Sequence, residues 1–175
     1  RRGLVAACVY PCEEGMEVLT NSPKVRKSRK TTLELILSTH DKRCLSCNRS
    51  NNCELQRLAL AYDVEAGRFM TEEPRYQKDE STTFLVRDNN KCVNCMRCVA
   101  ACRTIQSVSA IAPINRGFDT HIGSPFEMPL VDTSCVGCGQ CIVACPVGAL
   151  SEKSNVQQCW DAIADPNKKV LLFTA

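Results

Sequence analysis

Apolar side chains recur at helical spacing in two stretches of the first third of the chain. Positions three and four residues apart share one face of a helix. The first set predicts a helix over residues 28–40 and consists of Leu33, Ile36, Leu37 and His40. The second set predicts a helix that starts near Asn52, a good N-cap residue, and ends at or before Gly67. Its apolar face consists of Leu55, Leu58, Ala59 and Tyr62.

Beyond these helices the chain is more polar and contains more proline and glycine residues that interrupt regular structure. Residues 71–83 are polar and contain Pro74, which indicates a linker. Proline and glycine punctuate residues 113–129, which predicts short strands and turns. A further helix is predicted over residues 156–163. The chain begins without Met and stops in an apolar run of strand character at residues 171–175, so we expect a piece of a longer protein.

One cysteine pattern occurs twice in the second half of the chain. The run from Cys92 to Cys102 separates its four cysteines by two, two and three residues, and the run from Cys135 to Cys145 repeats this 43 residues later. Repetition of this length indicates a duplicated supersecondary unit. Each half is predicted to be a cysteine loop followed by a short helix.

The composition requires something besides an apolar core to hold the fold. Aromatic residues make up only 5% of the chain, whereas 14 of its residues are cysteines. Small domains with lean cores depend on disulfides or metals. No secretory signal is visible, and the cysteines lie in tight clusters, which favours metal ligation in a reducing compartment. No apolar run is long enough to span a bilayer.

The net charge of +3 indicates no particular partner. Bound iron–sulfur clusters would bring their own negative charge and move the total to roughly −2, so we draw no inference of nucleic-acid binding. A basic run between residues 24 and 30 is most simply a solvated helix face; the alternative is a docking site for an acidic redox partner.

The paired cysteine runs predict two 4Fe–4S clusters. In the two-cluster ferredoxin arrangement, the fourth cysteine of each run ligates the cluster of the other run. One predicted ligand set is therefore Cys92, Cys95, Cys98 and Cys145. The other is Cys135, Cys138, Cys141 and Cys102. Pro146 after Cys145 fits the bacterial pattern, whereas Arg103 after Cys102 departs from it. Zinc sites favour CxxC pairs separated by a longer loop and fit this spacing poorly.

A second constellation lies upstream and consists of His40, Cys44, Cys47 and Cys53. Three cysteines and one histidine can bind zinc. Beside two ferredoxin-type runs, the set favours a 4Fe–4S cluster with one imidazole ligand. Replacing a thiolate by neutral histidine removes negative charge and is expected to raise the potential of the cluster.

The remaining cysteines and one histidine are more isolated. Cys8 is either the fourth ligand of a 2Fe–2S site, whose other ligands would precede residue 1, or a buried free cysteine. We interpret Cys12, Cys159 and His121 as structural. No phosphate-binding loop, Ser-His-Asp set or carboxylate pair stands out.

The order of these motifs resembles the N-terminal accessory region of iron-only (FeFe) hydrogenases. Three further stretches carry the resemblance. They are the approach to the first cysteine run at residues 86–92, the insertion at residues 115–120, and the stretch Trp160 to Pro166 followed by Lys169-Val170, which is similar to the start of the hydrogenase catalytic domain. Formate dehydrogenase subunits share the motif order, and the large iron–sulfur subunit of complex I shares the His motif.

The resemblance implies an α+β fold in four parts. Residues 1–22 would be the end of a β-grasp 2Fe–2S ferredoxin-like domain, and residues 23–80 a small helical His-Cys domain with one 4Fe–4S cluster. Residues 81–155 would form a bacterial ferredoxin-like domain with two 4Fe–4S clusters, and residues 156–175 the start of the catalytic domain. In the full-length parent, Cys8 would match the last ligand of a 2Fe–2S cluster.

The function implied is an iron–sulfur electron relay of a hydrogenase whose catalytic cluster lies outside this chain, so the chain alone is not expected to catalyse. The implied partners are a ferredoxin or diaphorase-type subunits, with no nucleic acid and no membrane insertion. The implied location is the cytoplasm, or alternatively a hydrogenosome. Competing interpretations are the iron–sulfur region of a formate dehydrogenase alpha subunit or complex I large subunit, and a polyferredoxin that carries electrons without a catalytic domain.

Overall fold

A computed structural model describes residues 3–64, 67–69 and 75–173. The chain divides into two compact units, Arg1–Pro74 and Arg75–Ala175. Within the described residues, no helix is both long enough and apolar enough to cross a membrane.

The first unit is built on two helices, α1 (Pro23–Ser38) and α2 (Glu54–Ala61). Helix α1 starts five residues earlier than predicted, because Ser22 accepts a hydrogen bond from the Val25 amide and Pro23 occupies the first turn. It ends at Ser38, so His40 lies beyond the helix and not on its apolar face, which corrects the predicted helix over residues 28–40.

Helix α2 starts close to the predicted position, although its N-cap is Cys53 and not Asn52. It ends at Ala61, before Gly67 as predicted. Among the described residues of this unit, the buried apolar side chains are Leu33 of α1 and Leu55 of α2. Arg29 reinforces the pair, because its guanidinium donates a hydrogen bond of 3.1 Å to the Tyr62 hydroxyl.

The second unit contains two antiparallel strand pairs. Strand β1 (Leu85–Arg87) pairs with β4 (Leu150–Glu152), and β2 (Ala112–Ile114) pairs with β3 (His121–Gly123). The strands and turns predicted for residues 113–129 are thus confirmed. Because the first strand pairs with the last, the two halves of the repeat are brought face to face.

Short helices follow the two cysteine loops, as the repeat predicts. They are α3 (Arg97–Ala100) and α4 (Gln140–Ala144). Helix α5 (Val156–Ala164) agrees with the predicted helix to within one residue and has no buried side chain. Residues 170–173 form no strand and are exposed, which corrects the strand predicted at the end of the chain.

The core of the second unit is small and lies around the strands. Its most buried apolar side chains are Leu85, Ala110, Ile122, Leu130, Val147, Ala149 and Leu150, all at most 4% exposed. These side chains are mostly small or aliphatic, which agrees with the low aromatic content of the sequence. The cysteine loops pack directly beside them.

The segment interpreted as a linker is in part a structural element of the second unit. Asp79 and Arg87 exchange two backbone hydrogen bonds of 2.9 Å, and their side chains form an ion pair of 3.0 Å. Thr82 is 4% exposed. Its hydroxyl donates to the Leu85 carbonyl and accepts from the Leu85 amide. Residues 71–74 of the predicted linker lie outside the described residues.

This contact of Thr82 yields a prediction. Replacing Thr82 by Val keeps the shape of the side chain but leaves the Leu85 amide and carbonyl without these partners. We expect a loss of about 1–3 kcal/mol in the free energy of unfolding, measured by urea denaturation. The neighbouring Thr83 is exposed, so Thr83→Val is the matched control and should cost little. Equal losses in the two variants would contradict this role for Thr82.

Candidate iron–sulfur sites

The structure brings together four cysteines from both runs around one cavity. This first cavity is lined by Cys92, Cys95, Cys98 and Cys145. The remainder of its wall is largely apolar and includes Ile122, Val147 and Leu150. Cys98 and Cys145 are each 8% exposed, so the sulfurs of two different runs are buried at the same place.

A second cavity is lined by the other four cysteines of the two runs. It is lined by Cys135, Cys138, Cys141 and Cys102, with Phe84, Ile111 and Leu130 among its apolar wall residues. The fourth cysteine of each run therefore borders the cavity of the other run. This follows from the antiparallel pairing of β1 with β4 and of β2 with β3, which sets the two loops side by side.

The crowding of sulfurs is visible in the thiol pKa values. Burial raises the pKa of the Cys98 thiol from 9.0 to about 12, and the sulfurs of Cys92 and Cys145 add to the rise. Burial raises the pKa of Cys92 to about 11 and that of Cys141 to about 11 as well. Because the neutral thiol is favoured in both cavities, keeping several thiolates there requires a compensating positive charge.

The donor geometry suits a group with several metal atoms. Among residues 3–64, 67–69 and 75–173, no three His, Cys, Asp or Glu side chains converge closely enough to hold a single metal ion. In each cavity the four cysteines surround a space instead of meeting at a point. Four soft thiolate donors around a largely apolar space are the environment in which 4Fe–4S clusters are held.

The loops reach this geometry through left-handed backbone at two equivalent positions. In the second run these positions are Gly137 and Gly139, with φ of 68° and 72°. In the first run they are Asn94 and Met96, with φ of 50° and 63°. Left-handed residues between ordinary ones turn successive amide N–H groups to one side, which favours an anion such as a thiolate-bound cluster. The repeat aligns Asn94 and Met96 with the two glycines.

The last cysteines of the two runs differ in local structure. Helix α4 ends at Ala144, and its C-cap Cys145 is extended, because Pro146 disfavours helical backbone in the residue before it. Arg103 imposes no such stop, and the chain continues past Cys102 in a π-helical turn over Ala101–Ile105. The departure noted at Arg103 thus changes the backbone but still leaves Cys102 at the second cavity.

Backbone amides already approach two of these sulfurs. The Asn94 amide lies 3.4 Å from the Cys92 Sγ, and the Ala110 amide lies 3.3 Å from the Cys102 Sγ. Such donors stabilise the thiolate form and, with a cluster bound, make it easier to reduce.

The four residues of the upstream constellation lie in and beside the loop between α1 and α2. His40 is 7% exposed, and Cys44, Cys47 and Cys53 are partly buried while Leu45 between them is fully exposed. Cys44 begins a short 3₁₀ turn, and Cys53 is the N-cap of α2. The loop therefore turns its cysteines away from solvent more than Leu45.

The isolated residues take separate places. Cys8 lies in an exposed turn and Cys12 is exposed, so the alternative of a buried free cysteine is wrong for Cys8. Cys159 is exposed on α5. His121 is 8% exposed, its Nε2 lies 3.2 Å from the Glu127 carboxylate, and its ring packs on Tyr76, as suits a structural role.

One residue of both cavities was missed by sequence reasoning. Arg87 and its cross-strand partner Leu150 line the first and the second cavity alike. No pattern in the sequence marks an arginine at the end of a short strand as part of a cysteine site.

Two family models match the chain. Residues 29–68 match the NADH-ubiquinone oxidoreductase-G iron-sulfur binding region, and residues 91–149 match the 4Fe-4S dicluster domain. The first covers the His-Cys constellation and the second covers both ferredoxin-type runs.

The chain also resembles subunits of two kinds of enzyme. It is 39% identical to the NADP-reducing hydrogenase subunit HndD of Solidesulfovibrio fructosivorans over 100% of this chain and 30% of that protein. It is 38% identical to iron hydrogenase 1 of Clostridium pasteurianum over 99% of this chain and 30% of that protein. With the NADH-ubiquinone oxidoreductase 75 kDa subunit of Reclinomonas americana it shares 34% identity over 85% of this chain and 21% of that protein.

The fold has a counterpart among solved structures. A chain of an NAD⁺-reducing [NiFe]-hydrogenase in the H₂-reduced state superimposes with a TM-score of 0.80 at 30% identity, covering 86% of this chain and 64% of that one. This chain is thus similar to the iron–sulfur regions of hydrogenase and NADH-ubiquinone oxidoreductase subunits. It spans less than a third of the curated relatives described above.

The raised thiol pKa values predict a pH dependence for the cluster-free protein under reducing conditions. The folded chain holds protons that the unfolded chain releases near pH 9.0. Stability is therefore fully present below that pH and is lost as the pH rises through about 11 to about 12. We expect Cys98→Ser to reduce this loss, measured by unfolding and by thiolate ultraviolet absorbance.

Cys159→Ser is the control, since that thiol is exposed and lies outside both cavities. The interpretation is contradicted if the Cys98 variant titrates like the Cys159 variant, with the same number of thiols ionising late.

Proposed function

We propose that the chain is an electron relay that holds three 4Fe–4S clusters. The observation that carries the proposal is the composition of the two cavities, each lined by three cysteines of one run and the fourth cysteine of the other. When bound, the clusters supply one-electron transfer. The chain's own residues fix their places, exclude water and set their surroundings.

The proposed ligands follow the two cavities. One cluster would be held by Cys92, Cys95, Cys98 and Cys145. The next would be held by Cys135, Cys138, Cys141 and Cys102. Because both cavities share Arg87 and Leu150 as wall residues, the two clusters would be separated by little more than one cross-strand pair. Such closeness favours transfer between them.

The third cluster would be held by His40, Cys44, Cys47 and Cys53. Support comes from the donor set on a single inter-helix loop and from the match of residues 29–68 to an iron–sulfur binding region. With one neutral imidazole in place of a thiolate, this site would carry about one negative charge less than an all-cysteine site. We therefore propose that it has the higher potential and serves as a branch or entry point.

We propose an iron-only hydrogenase as the parent protein. The two hydrogenase relatives align over 99–100% of the chain at 38–39% identity, against 85% at 34% for the NADH-ubiquinone oxidoreductase relative. The matched oxidoreductase-G region keeps a complex I large subunit as the second candidate, and formate dehydrogenase shares the motif order. Cysteine motifs of hydrogenase type encoded after residue 175 would support the hydrogenase as the parent protein. A molybdopterin-binding domain encoded there would instead favour formate dehydrogenase.

Two further elements of the proposal concern the parent protein. Its partners would be diaphorase-type subunits or a ferredoxin, and its location the cytoplasm or a hydrogenosome. Cys8, exposed in its turn, would complete a 2Fe–2S site with ligands from preceding residues. The exposed Trp160 and Ile163 of α5 would pack against the catalytic domain that begins there.

Metal analysis tests the relay directly. The protein purified without oxygen should be brown and contain about twelve iron atoms and about twelve acid-labile sulfides per chain, as three 4Fe–4S clusters require. A colourless protein that contains zinc and no labile sulfide would overturn the proposal.

The crossed ligation predicts which cluster each variant disturbs. Cys102→Ser should alter the electron paramagnetic resonance signal of the cluster held by the Cys135 run and leave that of its own run nearly unchanged. Cys145→Ser should do the reverse. Cys159→Ser, on an exposed thiol, is the control and should alter neither. Loss of the Cys92-run signal in Cys102→Ser would show that the runs are not crossed.

A further inference from the structure

We infer that Arg87 is a positioning residue that sets the reduction potentials of both ferredoxin-type clusters at once. This rests on the proposed function, because it concerns the two cavities proposed to hold those clusters. The observation behind it is that one buried arginine lines both cavities and has a buried donor atom for which the described residues provide no hydrogen-bond acceptor.

The backbone holds Arg87 firmly at this place. It is the last residue of β1, paired with Leu150 of β4, and it exchanges two backbone hydrogen bonds of 2.9 Å with Asp79. A residue fixed on both sides by backbone contacts has little freedom to move its side chain away from the cavities. The segment before β1, which contains Asp79, thus helps to fix the position of the charged Arg87.

The guanidinium is buried and only partly satisfied. The Arg87 side chain is 9% exposed. Its Nη2 donates to the Asp79 carboxylate at 3.0 Å and to the Ser124 hydroxyl at 3.2 Å. Its Nη1 is buried and, within the described part of the chain, has no hydrogen-bond partner. A buried positive charge with an unpartnered donor is costly, and negative charge in the neighbouring cavities would offset part of that cost.

The negative partner of Arg87 lies away from the cavities. Asp79 lines neither of them and instead borders, together with Arg87, a polar cleft of the same unit. Burial on its own raises the pKa of the Asp79 carboxyl, but hydrogen bonds from Ser81 and Leu130 and the charge of Arg87 outweigh this and lower it. The carboxylate is therefore ionised, and of the two charged residues only Arg87 lines the cavities.

The sign of the effect follows from electrostatics. An electron that arrives in either cavity adds negative charge, which a nearby positive charge stabilises. Arg87 thus raises both potentials, and because it borders both cavities it raises them together.

Redox titration of the cluster-loaded protein, followed by electron paramagnetic resonance, tests this assignment. Arg87→Gln should shift the midpoint potentials of both ferredoxin-type clusters to more negative values. Arg87→Lys keeps the charge and should shift them less. Arg103→Gln removes the same charge from an exposed position beside Cys102 and should shift them least, with the shift vanishing at high salt.

Asp79→Asn separates electrostatics from structural damage. It removes the negative partner and leaves Arg87 in place, so both potentials should shift to more positive values, opposite to Arg87→Gln. If the two variants shift the potentials in the same direction, Arg87 acts only through packing and the inference is wrong. It is also overturned if Arg87→Gln moves one cluster alone or neither.

The two proposals fail in different ways. If the unaltered protein contains no clusters, the proposed function itself is wrong. If the clusters are present and the Arg87 variants do not change their potentials, only this inference is wrong. Should Arg87→Gln fail to assemble its clusters, Arg87→Lys and Asp79→Asn still decide the matter through the size and sign of their shifts.

Discussion

Eight cysteines line two cavities beside the small aliphatic core of the second unit, and the burial of sulfurs there, above all those of Cys98 and Cys145, is the constraint on which the other features depend. Burial and mutual repulsion favour the neutral thiol and raise the pKa of Cys98 to about 12. Thiolates can occupy such a place only beside positive charge, which iron supplies most effectively. A unit with so little aromatic packing is expected to gain much of its folding free energy from the metal it binds.

The order of strand pairing explains how eight sulfurs from two distant runs form two groups of four. The pairing of β1 with β4 and of β2 with β3 joins the two halves of the repeat. The last cysteine of each run therefore lies beside the cysteine loop of the other half. The short strands thus hold the two cysteine loops in place. Arg87 and Leu150 are cross-strand partners and form the wall that both cavities share.

The sequence allowed the prediction of features that depend on local spacing. The cysteine groups, the short helices after them, the strands of the insertion and α5 all follow from periodicity, punctuation or repetition. The start of α1 was predicted wrongly because the prediction used apolar spacing alone. Ser22 and Pro23, which favour the cap and the first turn of a helix, were not considered. The packed segment at Asp79 was missed because its carboxylate accepts a hydrogen bond from the Leu130 amide, 51 residues away in the sequence. Arg87 was missed for the same reason, since its partners Asp79 and Ser124 are 8 and 37 residues away.

The most direct test of the account is the position of iron in crystals of the cluster-loaded protein, located by anomalous diffraction. The account predicts a four-iron group in each cavity, one bounded by the sulfurs of Cys92, Cys95, Cys98 and Cys145, the other by those of Cys135, Cys138, Cys141 and Cys102. A single metal atom in either cavity, or Cys102 bound to the group of its own run, would contradict it.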